Sequence, residues 1–135
     1  MSKIIQVSFP GGKKVDAKIN ETVVHTDQSV EHGGGGTGPE PFQLFLASIA
    51  TCAGIYALQF CQSRQLPSEG LSLQMTCDLD PGTKMYTKMA LELKLPTGFP
   101  EKYEPAIVRS MDLCAVKKHI NNPPAFELRT VRAPG

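Results

Sequence analysis

The chain has 135 residues, 41% of them apolar, and its 14 Lys and Arg against 13 Asp and Glu leave a net charge of +1. That is material for one domain with a real core, and without a basic stripe or an acidic run it gives a nucleic-acid role no electrostatic footing. The opening MSKIIQVSF lacks the long apolar stretch of a secretory signal, so a cytoplasmic protein is expected, and in that reducing setting the four cysteines are expected to rest as thiols.

KIIQVSFP alternates apolar and polar residues, GGK is a turn signal, and KVDAKIN alternates again, which predicts a β-hairpin. ETVVHTD adds a third strand. The run HGGGGTGPEP then gives a turn-rich loop without the GK[ST] that a phosphate-binding P-loop needs.

From Pro41 the pattern changes. Pro39 and Pro41 suit the first turn of a helix, and Pro67 forbids continuing it far past Gln65. Between Glu40 and Arg64 there is no formal charge, and Leu44, Phe45, Leu46, Ile49, Ile55, Tyr56, Leu58 and Phe60 cover every side of a helix on the order of 35 Å long. Such a helix is buried in a core or in a membrane. Gln43, Ser48, Thr51, Cys52, Gly54 and Gln59 dilute it, and neither flank carries the cluster of Lys, Arg, Trp or Tyr of a membrane boundary, so a buried soluble helix is expected and no membrane. One small domain hardly surrounds it, which makes a second copy of the chain its natural cover.

GLSLQMTCDLD and KMALELKLP, separated by PGTK, read as two paired strands with one face on the long helix. FPEKYEPAIVRSMDLCAVKKHI carries Tyr103, Ile107, Met111 and Cys114 at helical spacing and reads as a second helix, ended by Asn121 to Pro124. AFELRTV reads as a closing strand. The order βββ, α, ββ, α, β is that of an α+β fold.

Cys52 and Cys61 lie nine residues apart on one helix, roughly 13 Å in rise and on opposite faces, and a disulfide needs Cα atoms within about 7 Å. A redox partner for Cys52 in its own chain is therefore Cys114 or Cys77. A buried thiol resists ionising, so a reactive Cys52 needs a cation or hydrogen-bond donors beside it. No His and Cys pair has zinc-ligand spacing, and no metal or cofactor is expected.

The stretch from Pro41 to Cys52, PFQLFLASIATC, leading into a long helix, resembles the first cysteine motif of the OsmC/Ohr family of osmotically induced and organic hydroperoxide resistance proteins. Cys114-Ala115-Val116-Lys117-Lys118 resembles its second motif, usually Cys-Pro-Val-Ser. The resemblance covers nearly the whole chain, 1–135 as a single OsmC-like domain. It implies an intertwined homodimer with long central helices packed against antiparallel sheets, and a thiol peroxidase in which Cys52 is oxidised by an organic hydroperoxide to a sulfenic acid, Cys114 condenses with it to a disulfide, and a dithiol restores both.

Phe42, Gln43, Phe45 and Tyr56 are the expected apolar substrate pocket. This chain has Phe42 where the peroxidase branch has a glutamate, and no arginine before Arg64, so a cation from the opening hairpin is Lys3, Lys13, Lys14 or Lys18, with Lys13 and Lys14 of a second copy the candidate activators. Ala115 replaces the family's proline at the helix start after Cys114. A second expectation, from a different class, is a non-catalytic dimer that binds a small hydrophobic ligand in the interface pocket.

Overall fold

The computed structural model describes residues 1–134. The alternating segments at the start form an antiparallel three-stranded sheet of β1 (Ile5–Gly11), β2 (Lys14–Ile19) and β3 (Thr22–Thr26), in that order. Val7 pairs with Ala17 and Ala17 with Val24, which sets the register of the sheet. Asn20 takes the left-handed conformation at φ 54° in the tight turn between β2 and β3. Ile5, Val7 and Phe9, on one face of β1, are exposed.

The glycine run after β3 is an ordered loop built around one carboxylate. Asp27 is buried and accepts hydrogen bonds from the amides of Gln28, Gly35 and Thr37 and from the Thr37 hydroxyl. The Thr37 hydroxyl bond and those amides outweigh the cost of burial and hold the carboxyl below its ordinary range. Gly34 passes so close to this centre that a Cβ there would lie 2.1 Å from the Gln28 carbonyl oxygen, which only glycine avoids. His32 Nδ1 lies 2.5 Å from Glu40 Oε2, tying the loop to the residue before the next helix.

The chain forms two compact units, Met1–Ser48 and the part from Ile49 onward, with helix α1 (Pro41–Ser63) beginning in the first and continuing in the second. Pro41 occupies the first helical position, as its ring prefers, and the Glu40 amide donates to Gln43 Oε1 at 3.0 Å. The helix ends where the Leu66 amide bonds the Cys61 carbonyl at 2.8 Å and Gln65 turns left-handed at φ 55°. Its length and composition would let it cross a membrane. Only Ile49, Ala53, Ala57, Phe60 and Cys61 are buried, however, one stripe at three- and four-residue spacing, while Phe42, Phe45 and Ile55 are exposed. A single chain thus covers less of the helix than its apolar circumference predicts.

In the second unit β4 (Ser72–Leu79) and β5 (Tyr86–Lys94) form the expected antiparallel pair. Leu73 reaches toward Gly54 of α1 and Leu93 joins the core, so the inward face of the pair rests on the helix. The core comprises Ala57, Phe60, Cys61, Phe99 and Ile107, with Tyr103 edge-on to Phe60 at 6.1 Å between ring centres.

Two sequence expectations are corrected here. The second helix is broken: α2 (Glu104–Asp112) stops, Leu113 and Cys114 leave helical geometry, and α3 (Ala115–Asn121) starts afresh. The apolar spacing from Tyr103 to Cys114 ends at the break: Ile107 of α2 and Cys114 just before α3 are buried, while α3 itself buries no residue. The closing strand over AFELRTV does not form. It has no partner in either sheet, and Phe126, Leu128 and Val131 stand exposed.

Ile107 is almost wholly buried at the centre of the second unit. Ile107→Ala is expected to lower unfolding stability by about 2–5 kcal/mol, the usual cost of a large-to-small core change, measured by urea denaturation.

Candidate functional site

Cys52 lies near the middle of α1, and Cys114 is the residue from which α3 starts, with backbone angles of φ −50° and ψ 129°. The break between α2 and α3 brings them together, close enough that each side chain shifts the acidity of the other. Of the two cysteines left open by spacing, Cys114 is the one that stands beside Cys52, while Cys77 sits in β4 opposite Met89.

A new helix start carries amides with no carbonyl to bond within the helix. Here the amides of Ala115 and Val116 point to the Cys52 sulfur. Burial alone pushes the Cys52 thiol up, but the Cys114 thiol and these two amides together outweigh it and leave Cys52 below the ordinary thiol value. Cys114 moves the opposite way. Burial and the nearby Cys52 side chain raise it, the charge on Cys52 adds to this, and the amides of Lys117 and Val116 only partly compensate. Both cysteines are free thiols.

Cys61 provides a comparison within the same helix. It is as buried as Cys114, has no such donors, and burial raises it without compensation. Desolvation by itself thus yields an inert thiol, and the difference at Cys52 comes from the donors at the α3 start.

A cavity of about 330 Å³ adjoins the pair. Ile49, Ala53, Leu91, Val108 and Met111 form its apolar wall, Cys114 closes one side, and Arg109, Asp112 and Lys117 supply charge, the last two paired with each other. These residues were not singled out by sequence, since each reads as an ordinary core or surface position of its own element. The two amides have a sequence signal, the helix start in the second cysteine motif.

The other expected site residues fall as follows. Phe42, Gln43 and Phe45 stand in the part of α1 belonging to the first unit, with the Phe42 and Phe45 rings 5.4 Å apart and Gln43 engaged at the helix start. Tyr56 belongs to the second unit, where its carbonyl faces the Ser110 hydroxyl at 3.5 Å. Lys13 lies in the β1–β2 turn and Lys14 at the start of β2. No cation contributes to the shift of Cys52 among the described residues. Arg64 is spent elsewhere, its guanidinium carbon 3.8 Å from the centre of the Phe60 ring.

Each histidine has its own partner: His25 pairs with Asp16, His32 with Glu40, and His119 Nδ1 with the Ala115 carbonyl. No group of three or more His, Cys, Asp or Glu among the described residues could hold a metal ion.

Cys52 is expected to react with iodoacetamide with a pH midpoint below that of an ordinary thiol, because its thiolate persists to lower pH. In Cys114→Ala the midpoint is expected to rise, since burial then acts with one donor fewer. Alkylation followed by peptide mass mapping reads both values.

Comparison with known proteins places this arrangement. The profile of a family described as OsmC-like protein matches residues 33–129. No curated protein matches the chain. Among solved structures, an osmotic stress induced and detoxification response protein from Psychrobacter arcticus superposes with a TM-score of 0.74 at 17% identity, covering 87% of each chain. An OsmC-like protein from Mycoplasma pneumoniae gives 0.71 at 13% identity, over 91% of this chain and 89% of the other. An organic hydroperoxide resistance protein from Legionella pneumophila gives 0.55 at 20% identity, over 89% of each. At these identities the likeness establishes a shared fold.

Proposed function

The chain belongs to the OsmC-like family, and from that premise we propose that it is a thiol-dependent peroxidase, reducing organic hydroperoxides through a Cys52 sulfenic acid and a Cys52–Cys114 disulfide. The observation that carries this reading is the pairing of the two cysteines, with the pKa of Cys52 lowered and that of Cys114 raised. The hydroperoxide resistance named for the Legionella pneumophila protein of the same fold supports the substrate class.

The Cys52 thiolate attacks the terminal oxygen of the hydroperoxide, the O–O bond breaks, and the alkoxide leaves as the alcohol after taking a proton. Cys52 is then a sulfenic acid, oxidised by two electrons. With its negative charge gone, one cause that held the Cys114 thiol up disappears, and the Lys117 and Val116 amides favour ionisation of Cys114. The Cys114 sulfur attacks the Cys52 sulfur, water departs, and the disulfide forms. An external dithiol returns both cysteines to thiols, becoming a disulfide itself.

The working form in this reading is a homodimer. On α1 Phe42, Phe45 and Ile55 are exposed, and on β1 Ile5, Val7 and Phe9, apolar side chains that a second copy of the chain would cover. Sedimentation is expected to give twice the chain mass. A single-chain mass would contradict the dimer.

Cys52→Ser is expected to abolish dithiol-dependent consumption of cumene hydroperoxide, and Cys114→Ser to allow one turnover before activity stops. Undiminished steady turnover in Cys52→Ser would overturn the proposal.

A further inference from the structure

The segment between β3 and α1 holds two carboxylates, and they are satisfied in different ways. Buried Asp27 is bonded by groups that do not titrate near neutrality, the amides of Gln28, Gly35 and Thr37 and the Thr37 hydroxyl. Glu40 Oε2 instead meets the Ser29 amide at 3.3 Å, the Ser29 hydroxyl at 3.4 Å and a titratable group, His32 Nδ1, at 2.5 Å. We propose that His32 and Glu40 form a pH-sensitive clasp, which fastens the turn at Ser29–Gly34 to the start of α1 while the imidazole holds its proton and loosens when the proton leaves.

Ser29 is the pivot of this arrangement. Its amide and hydroxyl meet Glu40, its carbonyl accepts from the amides of His32 and Gly34 at 3.0 and 2.9 Å, and its hydroxyl also caps the short 3-10 turn, Val30–His32. Removing Glu40 from the cluster therefore frees the turn at its root. The Asp27 half of the loop needs no proton, and the Asp27 amide also bonds the Pro39 carbonyl at 3.1 Å. One half is permanent and the other conditional.

Exposure makes the conditional half accessible to solvent protons. The His32 side chain is 63% exposed while that of Glu40 is 20% exposed, so the imidazole exchanges its proton freely against a carboxylate that is itself largely shielded. The hydrogen bond to Glu40 and its charge lift His32 above its ordinary value of 6.5, and Glu31 in the same turn adds to this against the cost of burial. From the β1–β2 turn Lys13 brings a positive charge, its Cε 3.8 Å from where a Cβ on Gly33 would stand, and Asp27 borders Gly34 and Gly35. Glu40 is held below its ordinary 4.5, first by His32 and then by the Ser29 amide.

The direction of the switch follows from these shifts. A group raised on folding stabilises the folded loop below its unfolded value and loses that contribution as pH climbs through its folded one, and a lowered carboxyl does the reverse. The clasp is complete between the two ordinary values, 4.5 and 6.5. It opens on the alkaline side as His32 deprotonates, and in strong acid as Glu40 takes up a proton. A neutral imidazole keeps Nδ1–H in only one of its two tautomers and carries no charge, so above the switch an ordinary hydrogen bond at most replaces a charge-assisted one. Glu40 directly precedes α1 and its amide holds Gln43 Oε1, so the loosening reaches the helix entry, where Phe42 and Phe45 stand exposed.

Amide hydrogen exchange on the full chain, read residue by residue by NMR and corrected for the intrinsic rate at each pH, tests the clasp. Protection of the His32 and Gly34 amides, both bonded to Ser29, is expected to hold from about pH 5 to 6.5 and to be lower at about pH 8.5. The loss expected is on the order of two- to fivefold, the range of a partly exposed ion pair. The Gly35 and Thr37 amides, which answer to Asp27, are expected to stay level over the same range. His32→Asn keeps a donor near the place of Nδ1 without a charge, and is expected to give Gly34 a low protection that no longer varies with pH. Level protection of Gly34 in the parent, or a fall that persists in His32→Asn, would overturn the clasp. A fall shared equally by Gly35 and Thr37 would overturn it as well, since the loop would then be opening as a whole.

Discussion

The meeting of the Cys52 and Cys114 thiols depends on a single interruption of the chain, the non-helical pair Leu113 and Cys114 between α2 and α3. Were the two helices one, the amides of Ala115 and Val116 would bond the carbonyls of the preceding turn and would not be available to a side chain. Because the helix restarts there, the same few residues supply both a second sulfur and the donors that favour charge on the first. The core around Ile107, Phe60 and Phe99 holds α2 against α1 and β5, and thereby fixes where the restart occurs.

This geometry answers a chemical difficulty posed by the composition of α1. A helix free of charge from Phe42 to Ser63 offers a thiol no counter-ion, and Cys61 has the result, a thiol that burial makes harder to ionise. Cys52 escapes by borrowing neutral donors. Amide dipoles carry no net charge, so they can be placed beside an apolar helix without burying a cation, whose desolvation would cost several kcal/mol in order of magnitude. The two cysteines then differ in acidity as well as position, and the proposed division into an attacking and a resolving sulfur rests on that difference.

Much of this was legible in the sequence, for identifiable reasons. The three opening strands and the β4–β5 pair follow a strict alternation punctuated by Gly, Asn and Pro, and α1 is bracketed by prolines, so their bounds come out within a few residues. The resemblance of the two cysteine motifs gave the pairing of Cys52 with Cys114, where spacing had left Cys77 open. The break before α3 was hidden because Tyr103, Ile107, Met111 and Cys114 keep one periodicity up to it, and Ala115, unlike proline, does not announce a helix start. A search for a charged activator led to Lys13 and Lys14, since backbone donors leave no mark in side-chain chemistry. The AFELRTV strand has the right alternation and no partner within the chain, and alternation alone cannot supply the neighbour a strand requires. The cavity, likewise, is assembled from five elements or connections whose residues look ordinary one at a time.

The meeting of two sulfurs from distant parts of the chain is the point on which the chemistry turns, and it can be examined without following catalysis. One equivalent of cumene hydroperoxide is added to the reduced protein, remaining thiols are blocked at once, and the bridges are located by mass spectrometry of the unreduced digest. The account predicts a single bridge, Cys52 to Cys114, with Cys61 and Cys77 recovered as blocked thiols. A bridge from Cys52 to Cys77, or oxidation of Cys52 with Cys114 left free, would contradict it.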